Sequence, residues 1–588
     1  MTPKTKLLTR VGSFLGTAII CVACGGGGGA SSGSTSTTTT VSTPPPVTVT
    51  PPAPTTPTTP ASGAVTISGS VTFDDVPANS VGGLNFSAIV PAPIRGVTIE
   101  AVDAGDNIIE AGQTGLNGEY SLSVPVNTPV RIRVKAEMIQ TTGTTWNVRV
   151  QDNTNGDALY AFQGALVSSG AVDSIRDLNA ASGFGTTSFT GTRVAAPFAI
   201  LDPIFDTLQA FAAVAPGTDF PETDFNWSED NTTVFGDTDD GEIGTSSYFN
   251  GTGQIFILGE ENVDTDEFDE DVVVHEWGHY FEDMLSRSDS IGGAHGLGDR
   301  IDFRLALSEG FGNALAAIIN DDELYRDSGG PQQAGGFSFN VENQPLVPND
   351  GWFSETSVQE IIYDIFDGDD DAGDTVSLGL GPIFDAMTST AYTESPVFTT
   401  IFTFMDAVID QNSGDTAGLT ALLTQQSING SGPTGVGETN SGGITETLPV
   451  YKVATINGPP VVVCSSNDTG PFNASPDFNG HGVRDYITFT RTSITPVTMT
   501  AQIIPSLSSN TNVDPDFFVF SEGVPIAQAI SAPSEEPPGT ETLTNSFLQN
   551  QTGDLVIEIF DFNNVDETLQ ELGLSNDGDS CYNFTITQ

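Results

Sequence analysis

Hydrophobic and polar residues alternate along four short runs between residues 63 and 138: VTISGSVTF, RGVTIEAVD, NGEYSLSVP and VRIRVKAEM. A period of two puts successive side chains on opposite faces. Gly, Asn and Pro between the runs mark turns, so this part predicts a small β-sandwich. The pattern changes over residues 139–455. APFAILDPIFDTLQAFAAV carries apolar residues around most of a helical circumference, which predicts a buried helix. An acidic loop, GDTDDGEIG, and a strand-like GQIFIL come next, followed by three helical runs, DVVVHEWGHYFED, DFRLALSEGFGNALAAII and SVQEIIYDIFD. From residue 456 onward the alternation returns in DYITFTRT, PVTMTAQII, DPDFFVFSEG, GDLVIEIFD and CYNFTIT, predicting a second β-sandwich. The expected fold class is multidomain α+β, a helix-rich domain flanked by two β-sandwich modules.

Composition adds an export reading to this scheme. Residues 25–62 run from glycine through Ser/Thr to TPPPVTVTPPAPTTPTTP, a stalk with no means of burying a core. Residues 1–24 have a basic start (Lys4, Lys6, Arg10) and an apolar run, Val11 to Ala23, too short to span a bilayer and laid out as a secretory signal. Its end, VAC before five glycines, resembles a bacterial lipoprotein box. That resemblance implies cleavage before Cys24, lipid on its thiol, and an outer-membrane or cell-surface anchor; plain secretion is the alternative. Cys464 and Cys581 then remain, and in an exported chain a disulfide is the default expectation. A length of 588 residues predicts several domains. The net charge of −59, from 76 acidic and 17 basic residues, excludes nucleic acid as a partner, because phosphates would be repelled.

The chemistry concentrates in DVVVHEWGHYFED. The whole chain has four histidines, and His275 and His279 stand here at i and i+4, one turn apart on one helix face. That spacing lets both imidazoles bind one zinc ion, with Glu276 placed to reach a water without occupying the metal. A hydrolytic zinc site needs a third protein ligand. A metzincin would have a histidine where Leu285 stands and a glycine at Glu282, so that class is excluded. LALSEGFGNALAAI supplies Glu309 on the next helix, with Gly310 and Gly312 allowing close helix contact.

HExxH on one helix and a glutamate on the next resembles the gluzincins, the thermolysin-like zinc peptidases. The resemblance implies a zincin-type catalytic domain in which His275, His279 and Glu309 hold Zn2+ and Glu276 is the general base. Asn313 stands where the family has an aspartate that accepts a hydrogen bond from a ligand histidine. Family members also use a downstream tyrosine and histidine as oxyanion donors. Here Tyr363 and His295 are the candidates, since no histidine follows Glu309 until His481. GVTIEAVDAGDNIIEAGQTGLNGEYSLSVP resembles a transthyretin-like module, and the C-terminal strands resemble the bacterial pre-peptidase C-terminal domain, which accompanies secreted peptidases. Ca2+ is a further expectation at GDTDDGE (236–242), DGDDDAGD (367–374) and DFNGHGVRD (477–485), which group hard oxygen ligands in turns. The expected function is an exported zinc metallopeptidase acting on protein or peptide substrates. The competing expectations are a catalytically silent surface-binding lipoprotein and a zinc hydrolase for non-peptide bonds.

Overall fold

A computed structural model describes residues 63–343, 349–368, 375–466, 477–510, 513–531, 537–544, 548, 551–565 and 578–588. The leader with Cys24, the stalk, and residues 369–374 of one acidic loop lie outside the described residues.

The four alternating N-terminal runs form β1 (Ala64–Asp75), β2 (Val97–Val102), β4 (Glu119–Pro125) and β5 (Pro129–Gln140), and β3 (Ile108–Gln113) forms between them outside those runs. In β4, Tyr120, Leu122 and Val124 are buried between exposed neighbours, as a period of two requires. β1 pairs with β4, while β2 lies between β3 and β5.

The second of these sheets does not stop at residue 138. β5 pairs with β6 (Trp146–Asp152), and β6 pairs in parallel with β7 (Thr223–Trp227). β7 in turn pairs in parallel with β9 (Gln254–Ile257), and β8 (Ser247–Phe249) closes that edge. The main path of this ten-stranded sheet is β8-β9-β7-β6-β5-β2-β3. Parallel neighbours need a long crossover, and the one between β6 and β7 contains helix α1 (Ala196–Val214).

This arrangement corrects the expected fold class. No helix-rich catalytic domain stands between two β modules: strand exceeds helix, 35% against 25%, and short strands from residues 146–257 extend the N-terminal sheet. One hydrophobic core accordingly runs from Val65 in β1 through Phe225 and Trp277 to Leu423.

Helix α1 has the apolar character of a membrane span but is a core helix. Its Phe211 stacks 5.0 Å from Phe281 and lies 5.2 Å from Trp277. Those two aromatics belong to α2 (Glu270–Leu285), which carries the HExxH run. Acidic Glu270 and Asp271 suit its N-terminal turn. α3 (Phe303–Asn320) packs antiparallel beside it and starts at Asp302, whose side chain accepts from the Arg304 amide. Strands β10 (Leu324–Gly329) and β11 (Gly335–Asn340) follow as a hairpin, and then α4 (Glu355–Phe366) packs on α3.

The C-terminal region is a β-sandwich, as the alternation predicts. One sheet contains β13 (Arg484–Arg491), β15 (Pro515–Ser521), β16 (Val524–Ala529) and β18 (Gly553–Asp561); the other has β12 (Val461–Ser466), β14 (Thr498–Ile503), β17 (Thr540–Thr544) and β19 (Asp579–Thr587). Inward residues of both sheets, including Ile487, Phe517, Ile557, Met499 and Phe584, form its own core. Cys464 on β12 and Cys581 on β19 are directly opposed and form a disulfide.

Candidate metal centre

Three glycines set the spacing of α2, α3 and α4. A Cβ on Gly312 would lie 2.8 Å from the His275 ring, and one on Gly278 would lie 3.2 Å from the Gly312 Cα. A Cβ on Gly310 would meet Val358 at 2.6 Å, so this glycine admits α4. The missing side chains let α2 and α3 approach until His275, His279 and Glu309 meet. All three are buried.

His275 Nε2 is 3.1 Å from His279 Nε2 and 3.2 Å from Glu309 Oε2, and His279 Nε2 is 3.5 Å from the same oxygen. The outer atoms fix both ring tautomers. Asn313 Nδ2 donates to Gln359 at 3.0 Å, leaving Oδ1 to accept from His275 Nδ1–H at 2.9 Å. Ser308 gives its hydroxyl proton to Glu282 at 2.6 Å, so its Oγ accepts from His279 Nδ1–H at 3.0 Å. Both Nε2 atoms then turn lone pairs toward each other and toward a carboxylate oxygen.

Three acceptors converging without a donor require a cation or a proton between them. The donor set of two imidazole nitrogens and one carboxylate suits zinc. Its edges also fit, since arms of about 2.0–2.1 Å at tetrahedral angles put ligand atoms about 3.3 Å apart. Without an ion, a proton takes that place. Burial opposes charge on His279, yet Glu309 and Glu282 facing it hold its pKa well above the usual imidazole range. On His275 burial prevails and pushes the pKa down. Burial raises Glu309, but the neighbouring His295 and His279 outweigh it and keep the carboxylate ionised.

Glu276 occupies the next position round α2. It is fully buried with neither oxygen hydrogen-bonded, and burial pushes its pKa up to about 8. His295 reaches the same cluster from the α2–α3 connection. Its Nδ1 donates to the Gly293 carbonyl at 3.1 Å, while Nε2 lies 3.3 Å from Glu309 and 3.4 Å from Glu355. Glu355 belongs to no sequence motif. It opens α4, is buried, makes no hydrogen bond through either oxygen, and has a pKa raised to about 7, chiefly by burial. An acid in a helix's first turn reads from sequence as a dipole partner, which conceals it.

Tyr363 does not join this group. It lies eight residues beyond Glu355 on the same α4, at about 1.5 Å rise per residue. Its acidic neighbours, Asp367, Glu342, Glu323 and Asp321, belong to the far end of α3 and to the loops there. His481 is also elsewhere. Its ring packs against Phe353 and Trp352 and its Nε2 meets the Ser441 carbonyl at 2.9 Å, while burial lowers its pKa to about 4. Asp485, at the end of the same stretch and already in β13, is paired with Lys452 at 2.6 Å. In GDTDDGE, Asp237 and Glu242 accept from the loop's own amides.

The C-terminal sandwich holds the loop that carries His295. Asn479 Nδ2 donates to the carbonyls of Ala294 and Gly292 at 2.8 and 3.2 Å. Its own carbonyl accepts from the Asp302 amide at 2.7 Å, and the His481 amide donates to Arg300. Gly293, at φ +102°, leaves space for the Phe478 ring. Beside this contact, Arg304 of α3 reaches Glu558 of β18 at 2.8 Å, and Arg484 reaches the other Glu558 oxygen at 2.8 Å. All of these charged groups are buried.

No protein-family model matches the chain, and no curated protein matches it. Solved structures resemble part of it. The pre-peptidase C-terminal domain of a collagenase from Bacillus anthracis matches 23% of this chain and 93% of that one, at 9% identity and a TM-score of 0.15. CorA, a surface-associated copper-binding protein of Methylomicrobium album BG8, matches 23% and 96%, at 10% identity and 0.16. PliG, a periplasmic lysozyme inhibitor from Aeromonas hydrophila, matches 23% and 98%, at 14% identity and 0.13.

Proposed function

We propose that this protein is an exported zinc-dependent peptidase, with His275, His279 and Glu309 as metal ligands and Glu276 as general base. The observation that carries the reading is the convergence of two imidazole lone pairs and a carboxylate beside a buried glutamate that makes no hydrogen bond. A zinc ion held there would supply Lewis acidity, lowering the pKa of a water and polarising a carbonyl.

The remaining chemistry belongs to the protein. Burial raises Glu276, and a cation beside it acts in the opposite direction, bringing the carboxylate into its base form. Glu276 then accepts a proton from the attacking water and returns it to the leaving amine. Asn313 and Ser308 keep the ligand imidazoles in the metal-binding tautomer. His295, held between Glu309 and Glu355, is the group placed to donate to negative charge developing on the substrate oxygen.

The HExxH-plus-glutamate resemblance to gluzincins supports peptide bonds as the target. The Cys464–Cys581 disulfide supports export, and the leader ending at Cys24 supports a lipid anchor. The burial of all the site side chains favours one second reading, a surface protein that keeps the ion as a structural fastener.

Zinc content and hydrolysis of an unfolded protein substrate, measured for wild type and Glu276→Gln, separate the two. The peptidase reading expects zinc in both and activity lower by about 10²–10⁴-fold in the variant. Zinc in an inactive wild type selects the fastener, and a wild type without zinc removes the site.

A further inference from the structure

The connection between α2 and α3, residues 286–302, contains no helix or strand, yet it sets His295 3.3 Å from Glu309. Gly292, Gly293 and Gly298 take φ values of +61°, +102° and +90°, a region that only glycine enters freely. Such a chain does not hold a side chain in place by itself. Within the connection, the His295 ring is tied through Nδ1–H to the Gly293 carbonyl at 3.1 Å.

Asn479 of the C-terminal sandwich brackets that tie. Its Nδ2 has two hydrogens, and it donates to the Gly292 carbonyl at 3.2 Å and the Ala294 carbonyl at 2.8 Å. These carbonyls belong to the peptide planes immediately before and after the one that accepts from the ring. A single amide therefore fixes both neighbours of the His295 support. Oδ1 of the same amide is buried and accepts nothing among the described residues, so the donating end accounts for the residue. A serine hydroxyl has one proton to give and a carboxylate has none, and a glutamine amide would stand one methylene too far out.

Asn479 is itself set firmly, at 1% exposure. The neighbouring Phe478 ring packs on the sandwich cluster of Val483, Phe560 and Phe562, and the Phe478 carbonyl accepts from Arg484 of β13. We infer that Asn479 is a positioning residue for catalysis, holding His295 from the C-terminal sandwich where a substrate oxygen gains charge. This role rests on the peptidase reading, in which His295 is the oxyanion donor. It makes the sandwich a part of the active site. The Asn479 backbone serves a separate purpose, since its carbonyl accepts from the Asp302 amide at 2.7 Å and pins the start of α3. A side-chain substitution leaves that bond in place, so the α3 ligand Glu309 keeps its position.

The test uses the full chain loaded with zinc and follows hydrolysis of a dye-quenched, unfolded casein. Asn479→Ala is expected to lower kcat by about 10–100-fold, the effect of moving a catalytic group by about 1 Å. KM should stay within about threefold, and zinc content should equal that of the wild type. Asn479→Asp removes the donors without opening a cavity and should lower kcat likewise. In a His295→Gln background, Asn479→Ala should change kcat by less than about twofold, because the group it positions is gone. A purely structural role would lower activity by the same factor in both backgrounds. Equal factors overturn the positioning role, as does a kcat within about twofold of wild type in both Asn479 variants; either result leaves the peptidase reading standing. An inactive wild type removes that reading, and this role with it.

Discussion

Gly312→Ala offers a direct check on the packing that assembles the metal centre. The added Cβ would sit 2.8 Å from the His275 Cε1 and Nδ1 atoms, and ordinary contact begins at 3.4 Å, so the ring must retreat by about 0.6 Å. It cannot do so freely, because Nδ1 is held by Asn313 at 2.9 Å and Nε2 faces His279 and Glu309. Alanine gains about 1 kcal/mol of helix propensity over glycine, while overpacking a filled core costs about 1–3 kcal/mol. The net expectation is a loss of up to about 2 kcal/mol in stability. Mis-setting a ligand's orientation is expected to weaken zinc binding by about 10–100-fold. Competition with a chromogenic chelator measures the affinity, and thermal melts of the metal-free protein measure the stability. Gly414→Ala, where a Cβ meets nothing within 4 Å, is the neutral control. A Gly312→Ala protein that binds zinc within about twofold of wild type would refute the claim that this glycine makes room for the ligand.

Three other substitutions probe the surroundings. Asn479→Ala removes two hydrogen bonds to the His295 loop, and at about 1 kcal/mol each this should speed limited proteolysis between residues 292 and 302. Glu558→Gln leaves the buried Arg484 without its ion-pair partner and Arg304 with Asp302 alone; the expected loss in denaturant unfolding is about 3–5 kcal/mol. Replacing Cys464 and Cys581 together by alanine opens a connection spanning 117 positions. Chain entropy assigns such a bridge up to about 5 kcal/mol, readable as a lower melting temperature of the C-terminal sandwich.

The half of the site that lies on one helix was legible because i, i+4 spacing on an α-helix dictates which side chains converge. Glu309 was readable through the small residues around it, and Gly310 and Gly312 do provide the close contact. His295 and Glu355 were harder, since their arrival depends on how the α2–α3 connection is threaded and on where α4 docks. Helical phase cannot report distance along an axis, and for that reason Tyr363 looked eligible while lying two turns away from Glu355. The sheet shows the same limit. Alternation identified four strands up to Met138 and missed β3, and TDFNW in β7 is too short to announce its parallel partners, β6 and β9.

The hold of the C-terminal sandwich on the His295 loop has a consequence for the order of events in making this protein. Asn479 follows Gly292 by 187 positions. A chain emerging N-terminus first therefore presents both ligand helices long before the residues that fix His295 beside Glu309. Until the sandwich folds, any metal already bound would face a loop without its anchor. The last-made strands are thus needed before His295 is held beside Glu309, so the buried cluster is complete only after the C-terminal sandwich has been made.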